Sequence, residues 1–286
     1  MKISGKTFIV TGGTGGLASD AARMLLAEGA SVGLFDVVPT ETGDAFAQSL
    51  SGEGKAIYVK VDITDSAAVK VAVRLVSDKL HNLAGCVHCA GISLKRPLSN
   101  VVAESIGNFE KMLKVNTVGT FIVNAQVADE INRPLNFPDG SDKPGPFWTS
   151  DEERGVIVNL ASAASRPYAR TLAYGPTKAA VVGITEAMAD FLGPSGIRVA
   201  SISPSIIMSP LNAGLGGFFT DDLLKHAIFP RAPIGSEQIS STIKWIIETG
   251  AINATNIFVD GGWKMVVTKP GIEGGKDPRE SWPGVE

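Results

Sequence analysis

The sequence has few of the features that mark secreted, membrane-bound or nucleic-acid-binding proteins. Its 286 residues include only two cysteines and three histidines, and 26 Lys and Arg against 29 Asp and Glu. A net charge of −3 without a run of like charges predicts neither a nucleic acid nor a membrane surface as partner. No apolar run reaches the length of a membrane span, and the stretch at 7–10 is too short for a signal peptide. We therefore expect a cytoplasmic protein, with the mitochondrial matrix as the open alternative.

The two cysteines, Cys86 and Cys89, have the C-x-x-C spacing of some redox and zinc sites. A zinc site needs four ligands, and His88 is the only further candidate nearby, in a segment with the pattern of a strand. We therefore predict no metal site and a pair of reduced thiols.

The composition is 44% hydrophobic and 19% charged, which suits a folded globular protein. Val- and Ile-rich runs without polar alternation predict buried strands at 6–11, 31–36, 56–61, 85–89, 156–160, 198–203 and 256–259. Amphipathic patterns between them predict helices at 16–28, 41–50, 66–80, 104–131, 172–192 and 236–249. This alternation predicts one doubly wound (Rossmann) α/β domain over residues 1–268, with a parallel sheet of about seven strands and helices on both faces.

Three segments depart from this alternation. Residues 133–154 are rich in Pro, Gly, Asp and Ser and predict an inserted surface loop. Residues 204–233 carry bulky apolar side chains, among them Phe218, Phe219 and Phe229, and predict short helices that form a lid over a substrate. Residues 269–286 predict a C-terminal tail.

A glycine-rich turn, T-G-G-T-G-G-L at 11–17, follows the first strand and opens the first helix. Glycines there let the backbone approach a pyrophosphate, and the helix N-terminus faces the phosphate charge. We therefore predict that Gly12, Gly15, Gly16 and Leu17 bind a dinucleotide.

Asp36 ends the second strand about 20 residues later, where a carboxylate accepts hydrogen bonds from the adenosine ribose and repels a 2′-phosphate. No Lys or Arg lies within 12–18 or directly after Asp36, so we expect NAD rather than NADP. The alternative is that Asp36 only caps the following turn. Asp62, after the third strand, is placed either to bind the adenine amino group or to be the N-cap of the next helix.

These residues, with motifs further along, resemble the short-chain dehydrogenase/reductase family over residues 6–265. The family's T-G-x-x-x-G-x-G appears at 11–18 with Ala18 in place of the last glycine, and its N-N-A-G appears as H-C-A-G at 88–91. Its Y-x-x-x-K appears at 174–178, and its P-G segment at 204–210. The resemblance implies further cofactor contacts from Ile63, Cys89, Ala90, Gly91, Tyr174, Lys178, Pro204, Ile207 and Ser209.

The same resemblance implies that the catalytic residues are Asn116, Ser162, Tyr174 and Lys178. Tyr174 would exchange a proton with the substrate oxygen. Because an isolated tyrosine has a pKa of about 10, the Lys178 cation one helical turn away would stabilise the phenolate. Ser162, with Ser165 as the alternative, would bind the substrate oxygen, and Asn116 would hold a water that links Lys178 to solvent. Pro176 is compatible with this helix only if the helix begins near Tyr174.

Within the family, the segments at 155–159, 196–199 and 229–231 are most similar to the 3-hydroxyacyl-CoA and hydroxysteroid dehydrogenase branch. The implied reaction is hydride transfer between NAD and a hydrophobic secondary alcohol or ketone. One alternative is the same chemistry on a natural-product intermediate, with Trp148 of the 133–154 segment shaping the pocket. Another is a non-catalytic NAD-binding scaffold. Relatives in this family are usually dimers or tetramers joined through the helices at 104–131 and 172–192, so we expect a homo-oligomer, preferably a tetramer.

Overall fold

A computed structural model of the chain describes residues 1–94, 101–137, 140, 145, 148–166, 171–207 and 216–263, with side chains from 220 onward in the last range. Its seven strands are β1 Thr7–Thr11, β2 Ser31–Asp36, β3 Ala56–Lys60, β4 Leu83–His88, β5 Gly155–Leu160, β6 Ile197–Pro204 and β7 Thr255–Val259. They form one parallel sheet in the order β3-β2-β1-β4-β5-β6-β7. This arrangement confirms the doubly wound fold class predicted from the sequence.

The described helices are α1 Gly16–Ala27, α2 Thr40–Ser49, α3 Ser66–Leu80, α4 Ile106–Met112, α5 Gly119–Asn136, α6 Tyr174–Leu192, α7 Gly216–His226 and α8 Ser236–Glu248. A π-helical segment, Leu113–Val118, joins α4 to α5. The predicted helix at 104–131 is therefore a composite of three segments. Helix α7 lies in the segment predicted to be a lid; Phe218 and Phe219 belong to it, but their side chains lie outside the described residues.

The sheet has a hydrophobic core on each face because successive side chains of a strand point to opposite sides. Phe8 and Val10 of β1 belong to the core that includes Leu25 of α1 and Ile243 of α8. Ile9, between them in sequence, belongs to the core that includes Val127 of α5. Continuous apolar strands such as T-F-I-V-T are thus fully buried, as the pattern predicted.

The strand order reverses between β1 and β4, which are neighbours in the sheet although two strands separate them in sequence. Ligands of open α/β sheets bind at such a point, beyond the carboxyl ends of the strands. Thr11 at the end of β1 pairs with His88 at the end of β4. The glycine turn and residues 89–91 therefore leave the sheet side by side.

The segment at 133–154 differs from the prediction in its first residues. Helix α5 continues to Asn136 with Pro134 in its last turn, and the N–H of Phe137 still donates to the carbonyl of Arg133 at 3.0 Å. Proline usually ends a helix, and the sequence pattern therefore placed the boundary too early.

Trp148 lies near the amino ends of the strands, whereas the site is predicted at their carboxyl ends. Its Nε1 donates to Oδ1 of Asn136 at 2.9 Å, and the Arg154 guanidinium lies 5.4 Å from its ring centroid. Arg154 directly precedes β5, so Trp148 packs near the amino end of a six-residue strand, about 20 Å from its carboxyl end. The hypothesis that Trp148 shapes the substrate pocket of its own chain is therefore wrong.

Candidate active site

Helix α6 begins at Tyr174, which places the tyrosine at the mouth of the helix. Pro176 is then in the first turn, where a proline costs no intrahelical hydrogen bond, as the sequence required. The preceding loop is joined to the helix by the N–H of Gly175, which donates to the carbonyl of Thr171 at 2.8 Å. Lys178 follows one turn later on the same face and is only 5% exposed.

Burial raises the pKa of Tyr174 to about 12, and the nearby Ser162 side chain opposes this rise to a smaller extent. The direction differs from the sequence-based expectation, in which the Lys178 ammonium lowers the pKa. The desolvation of a phenolate outweighs the favourable contacts within this chain. Tyr174 is therefore a neutral phenol at physiological pH in the structure described.

Lys178 occupies the centre of the site. Its Nζ donates to the carbonyl of Leu160 at 2.7 Å and lies 5.9 Å from the ring centroid of Tyr174. Burial lowers the pKa of Lys178 to about 8, with a partial upward influence from Cys89. Among the residues that the structure describes, the buried ammonium donates only to this carbonyl at the end of β5, which leaves N–H donors for a ligand.

Ser162 comes two residues after β5 and caps a short 3₁₀ turn, Ala163–Ser165. Its Oγ accepts the N–H of Ala164 at 3.1 Å, and the side chain lies close enough to Tyr174 to oppose the rise in the pKa of that phenol. Ser165 lies at the far end of the same turn. The structure therefore brings Ser162, the serine favoured by the sequence, close to Tyr174.

Asn116 is completely buried within the π-helical segment. Its side-chain amide accepts the N–H of Ile92 at 2.8 Å and donates to the carbonyl of Ile92 at 2.9 Å and to Oγ1 of Thr177 at 3.1 Å. Asn116 thus joins the segment after β4 to α6. π-Helical turns are often found at functional sites, where they turn one side chain inward. The role of Asn116 in holding a water stays a prediction.

Gly91 lies between these groups, and a side chain there would fill the site. An added Cβ would lie 3.2 Å from Oδ1 of Asn116 and 3.3 Å from Nζ of Lys178. Gly12 has φ +65°, and a Cβ on it would lie 3.1 Å from Cα of Ala90. Both glycines keep the glycine turn and the 89–91 segment close together, as expected of a cofactor cradle.

The N-terminus of α1 suits a pyrophosphate. The helix begins at Gly16 after the N-cap Gly15, without a side-chain cap and without an acidic residue in its first turn. Leu17 follows and packs partly buried against the core. Uncapped N–H groups at a helix N-terminus are ready donors for an anion.

Asp36 ends β2 beside the glycine turn. Its Oδ2 accepts both the N–H and the hydroxyl of Thr14, at 3.1 and 2.7 Å, and its Oδ1 accepts the N–H of Val37 at 2.7 Å. The carboxylate therefore caps the following turn, as the alternative held, and also faces the glycine turn. Its contact with the adenosine ribose stays a prediction. Thr14 was missed by sequence reasoning; its hydroxyl within the turn was the available signal.

Asp62 is not the N-cap of α3, which was the alternative to adenine binding. Asp65 is the cap, with its Oδ1 accepting the N–H groups of Ala67 and Ala68, whereas Asp62 accepts the N–H of Thr64 at 2.9 Å. Ile63 is buried beneath Gly119 at the start of α5. The adenine contact of Asp62 stays a prediction.

The C-x-x-C pair is inert in this fold. Both cysteines are free, and burial raises the pKa of Cys89 to about 12 and that of Cys86 well above its ordinary value. Neutral thiols are poor nucleophiles and poor metal ligands. Among the residues that the structure describes, no three His, Cys, Asp or Glu side chains are grouped so that they could hold a metal ion.

His88 is a site residue whose role the sequence reasoning missed. Its Nδ1 is hydrogen-bonded with Oγ1 of Thr11 at 2.9 Å, and the same Oγ1 accepts the N–H of Ala90 at 3.1 Å. Burial first, and then the Lys178 charge, lower the pKa of His88 to about 3. A neutral imidazole thus stands where the family motif has an asparagine and links the ends of β1 and β4.

The predicted nicotinamide segment is described only in part. Pro204 is the last residue of β6, and Ile207 forms a parallel bridge with Ile234. Ser209 lies outside the described residues, as do residues 208–215 of the predicted lid and the predicted tail. Within the described part of the chain, no helix combines the length and apolarity needed to span a membrane.

Comparisons with known proteins agree with this geometry. A family model described as short chain dehydrogenase matches residues 6–216. The 3-hydroxyacyl-CoA dehydrogenase type-2 of Drosophila melanogaster is 33% identical over 262 residues, which cover 90% of this chain and 97% of that protein. Ipsdienol dehydrogenase of Ips pini is 30% identical over 266 residues, which cover 91% and 98%.

A solved structure of a short-chain dehydrogenase from Burkholderia cenocepacia J2315 in complex with NADP has a TM-score of 0.75 and 26% identity, covering 92% of this chain and 99% of that one. The family match spans most of the chain, and the parallel sheet, the glycine turn and the Tyr174 and Lys178 pair agree with it. The chain therefore belongs to the short-chain dehydrogenase family of oxidoreductases, near its 3-hydroxyacyl-CoA dehydrogenases.

Proposed function

We propose that this chain is an NAD-dependent dehydrogenase acting on a hydrophobic secondary alcohol or ketone of the 3-hydroxyacyl-CoA or hydroxysteroid kind. The observation that carries the proposal is the convergence of Ser162, Tyr174 and Lys178 at the carboxyl ends of the strands. This is the edge of the sheet at which doubly wound proteins bind dinucleotides. A scaffold that only binds NAD has no need of a buried ammonium next to a phenol.

The residues present fit a nicotinamide dinucleotide. The uncapped N-terminus of α1 would bind the pyrophosphate, Asp36 the adenosine ribose, and Lys178 the second ribose. Asp36 favours NAD because its carboxylate, fixed by Thr14, would repel a 2′-phosphate. When bound, the nicotinamide supplies the acceptor or donor of the hydride.

Tyr174 moves the proton that accompanies hydride transfer. In ketone reduction its hydroxyl donates the proton to the oxygen that becomes the alcohol, and in alcohol oxidation its oxygen takes that proton back. Ser162 donates a hydrogen bond to the same substrate oxygen and thereby fixes its distance from Tyr174. The Lys178 ammonium favours the phenolate once the proton has left. Asn116 keeps α6 in place against the segment after β4.

The preference for a hydrophobic substrate rests on the relatives and on the predicted lid. The relatives at 30% identity or more include a 3-hydroxyacyl-CoA dehydrogenase and an ipsdienol dehydrogenase, and both names describe oxidation of an alcohol. Ile228 and Phe229, just after α7, are 75% and 83% exposed. Exposed apolar side chains at this end of the molecule are available to a ligand. The ipsdienol dehydrogenase favours, as second candidate, a smaller natural-product alcohol.

We also propose a homo-oligomer, preferably a tetramer, that joins copies through α5 and α6. Phe121 of α5 and Phe191 of α6 are 53% and 72% exposed, and Val118 next to α5 is also exposed. Large apolar side chains on adjacent long helices are typical of subunit interfaces. The two free thiols fit a reducing compartment such as the cytoplasm or the mitochondrial matrix.

The proposed function is tested by turnover with NADH and NADPH on acetoacetyl-CoA, a polycyclic ketone and a terpenoid ketone. We expect the wild-type protein to reduce at least one of them and to prefer NADH. Tyr174→Phe should lower kcat about 10²- to 10⁴-fold while the Kd of NADH stays unchanged. A wild-type protein that binds NADH but turns over none of these substrates would instead support the scaffold hypothesis. A Tyr174→Phe variant that keeps full activity on an accepted substrate would contradict the role of Tyr174.

A further inference from the structure

The turn after β7, residues 260–263, is bonded to the loop that carries Ser162. Nη1 of Arg166, at the end of that loop, donates to Oδ2 of Asp260 at 2.9 Å and to the carbonyl of Trp263 at 3.2 Å. The guanidinium also lies 3.5 Å from the ring centroid of Phe258 in β7. Asp260 is buried, so this ion pair is shielded from water and stronger than one at the surface.

The same turn is bonded to α7, in the predicted lid. Nε1 of the Trp263 indole donates to Oδ2 of Asp222 at 2.8 Å, and Asp222 also pairs with His226 one helical turn later. The indole is buried in a small hydrophobic cluster with Leu223 and Ala227. One side chain of the turn therefore fixes both the position and the rotation of α7.

The cluster around Trp263 extends to the catalytic loop. Ala163, the residue after Ser162, packs against it, and Ile206, just beyond β6, is part of it. The indole is thus in one packed cluster with α7 and with the start of the loop that positions the substrate oxygen. Packed clusters of this kind transmit displacements because they have no free volume to absorb them.

We propose that Trp263 is a positioning residue that sets the distance between α7 and the Ser162 loop, and thereby the fit of the substrate against Ser162. The expected effect on the substrate rests on the proposed function. The coupling between α7 and the Ser162 loop does not. The predicted contacts of the pyrophosphate and the adenosine ribose lie elsewhere, at the glycine turn and on Asp36. Loss of the indole contact should therefore change the binding of substrate without changing that of NADH.

The test compares conservative variants by KM, kcat and the Kd of NADH. Trp263→Phe keeps an aromatic ring in the cluster but loses the N–H donor, and Asp222→Ala removes the acceptor. We expect a roughly two- to tenfold rise in the substrate KM for each, the effect of one lost hydrogen bond, with the Kd of NADH unchanged. Asp222→Asn should restore a KM near that of the wild type, because its amide oxygen still accepts. Trp245→Phe, on the exposed face of α8, is the matched control.

Hydrogen exchange of the free protein tests the coupling without a substrate. In Trp263→Phe and Asp222→Ala, the backbone amides of residues 163–166 and those of α7 should exchange faster together, and Trp245→Phe should change neither. Faster exchange confined to α7, or an unchanged KM in both variants, would overturn the inference. A wild-type protein inactive on every ketone would contradict only the proposed function, because exchange would still decide the coupling.

Discussion

Thr14 makes two hydrogen bonds to one carboxylate oxygen of Asp36, because its backbone N–H and its hydroxyl both donate to Oδ2. This pair joins the glycine turn to the end of β2 and orients the carboxylate beside the turn. Oδ1 is turned toward Val37, so the carboxylate is held at both oxygens by its own chain. A negative charge fixed in this way cannot move aside for the 2′-phosphate of NADP. The preference between NADH and NADPH therefore tests the role of Asp36 directly.

We expect Asp36→Asn to lower kcat/KM for NADH about ten- to hundredfold, the effect of losing charge-assisted hydrogen bonds. The same change should raise the relative activity with NADPH, because it removes the repulsion. Asp44→Asn, on the exposed face of α2, removes an equal charge nearby and should leave the ratio unchanged. The ratio is measured by initial rates with both cofactors, and a wild-type preference for NADPH would contradict the assignment.

The proximity of Ser162 to Tyr174 predicts different effects for the two serines of the loop. Ser162→Ala should lower kcat by at least about tenfold, because the substrate oxygen loses a hydrogen-bond donor. Ser165→Ala, at the other end of the same 3₁₀ turn, should have kcat within about twofold of the wild type. Equal losses in the two variants would show that the turn, rather than Ser162 itself, matters.

We expect Lys178 to lower the free energy of unfolding of the protein. Burial lowers its pKa to about 8, below that of a lysine in the unfolded chain, so the folded state is penalised for binding this proton. Lys178→Met should abolish activity and raise the free energy of unfolding at pH 7 by about 1–2 kcal/mol.

The pH dependence gives the sign of this effect. The contribution of Lys178 to stability should rise between pH 8 and about 10.4, the pKa of a free lysine, since only the unfolded chain then binds this proton. The gap between variant and wild type should therefore shrink over that window in urea titrations. A gap that widens with rising pH would contradict a lowered pKa.

His88 should make the protein sensitive to acid. Its folded-state pKa of about 3 lies below that of a free histidine, so stability from this group falls as pH decreases from about 6.5 toward 3. Replacing it by the asparagine of the family motif, His88→Asn, should reduce the loss of unfolding free energy between pH 7 and 4.5 by about 2 kcal/mol. His81→Asn controls for the loss of an exposed imidazole. Equal acid sensitivity in wild type and His88→Asn would contradict the buried neutral state.

Elements with a strong local pattern were predicted almost to the residue. Helix α3 matches its prediction at 66–80, although its N-cap is Asp65 and not Asp62, and β2 matches at 31–36. The long helix at 104–131 was not resolved into α4, a π-helical segment and α5, because α4, the π-helical segment and α5 follow one another without a break. Its position is set by the buried Asn116, whose partners are distant in sequence.

The candidate site was predicted as a set of residue types, not as a set of contacts. Tyr174 and Lys178 could be placed on one helical face because four residues make about one turn. Their pKa values could not be predicted, since the net direction of each pKa shift depends on how completely the neighbouring strands exclude water. Thr14, His88 and Trp263 were missed for the same reason, because their partners come from other strands and helices.

By itself, the sequence determined the order of strands and helices, the glycine turn with Asp36, and the spacing of Tyr174 and Lys178, since each depends on neighbours along the chain. Only the tertiary structure decided which serine meets the tyrosine, how the buried lysine and histidine titrate, and how the turn after β7 contacts α7. These depend on the exclusion of water and on the meeting of segments separated by tens of residues. No local pattern encodes either of them.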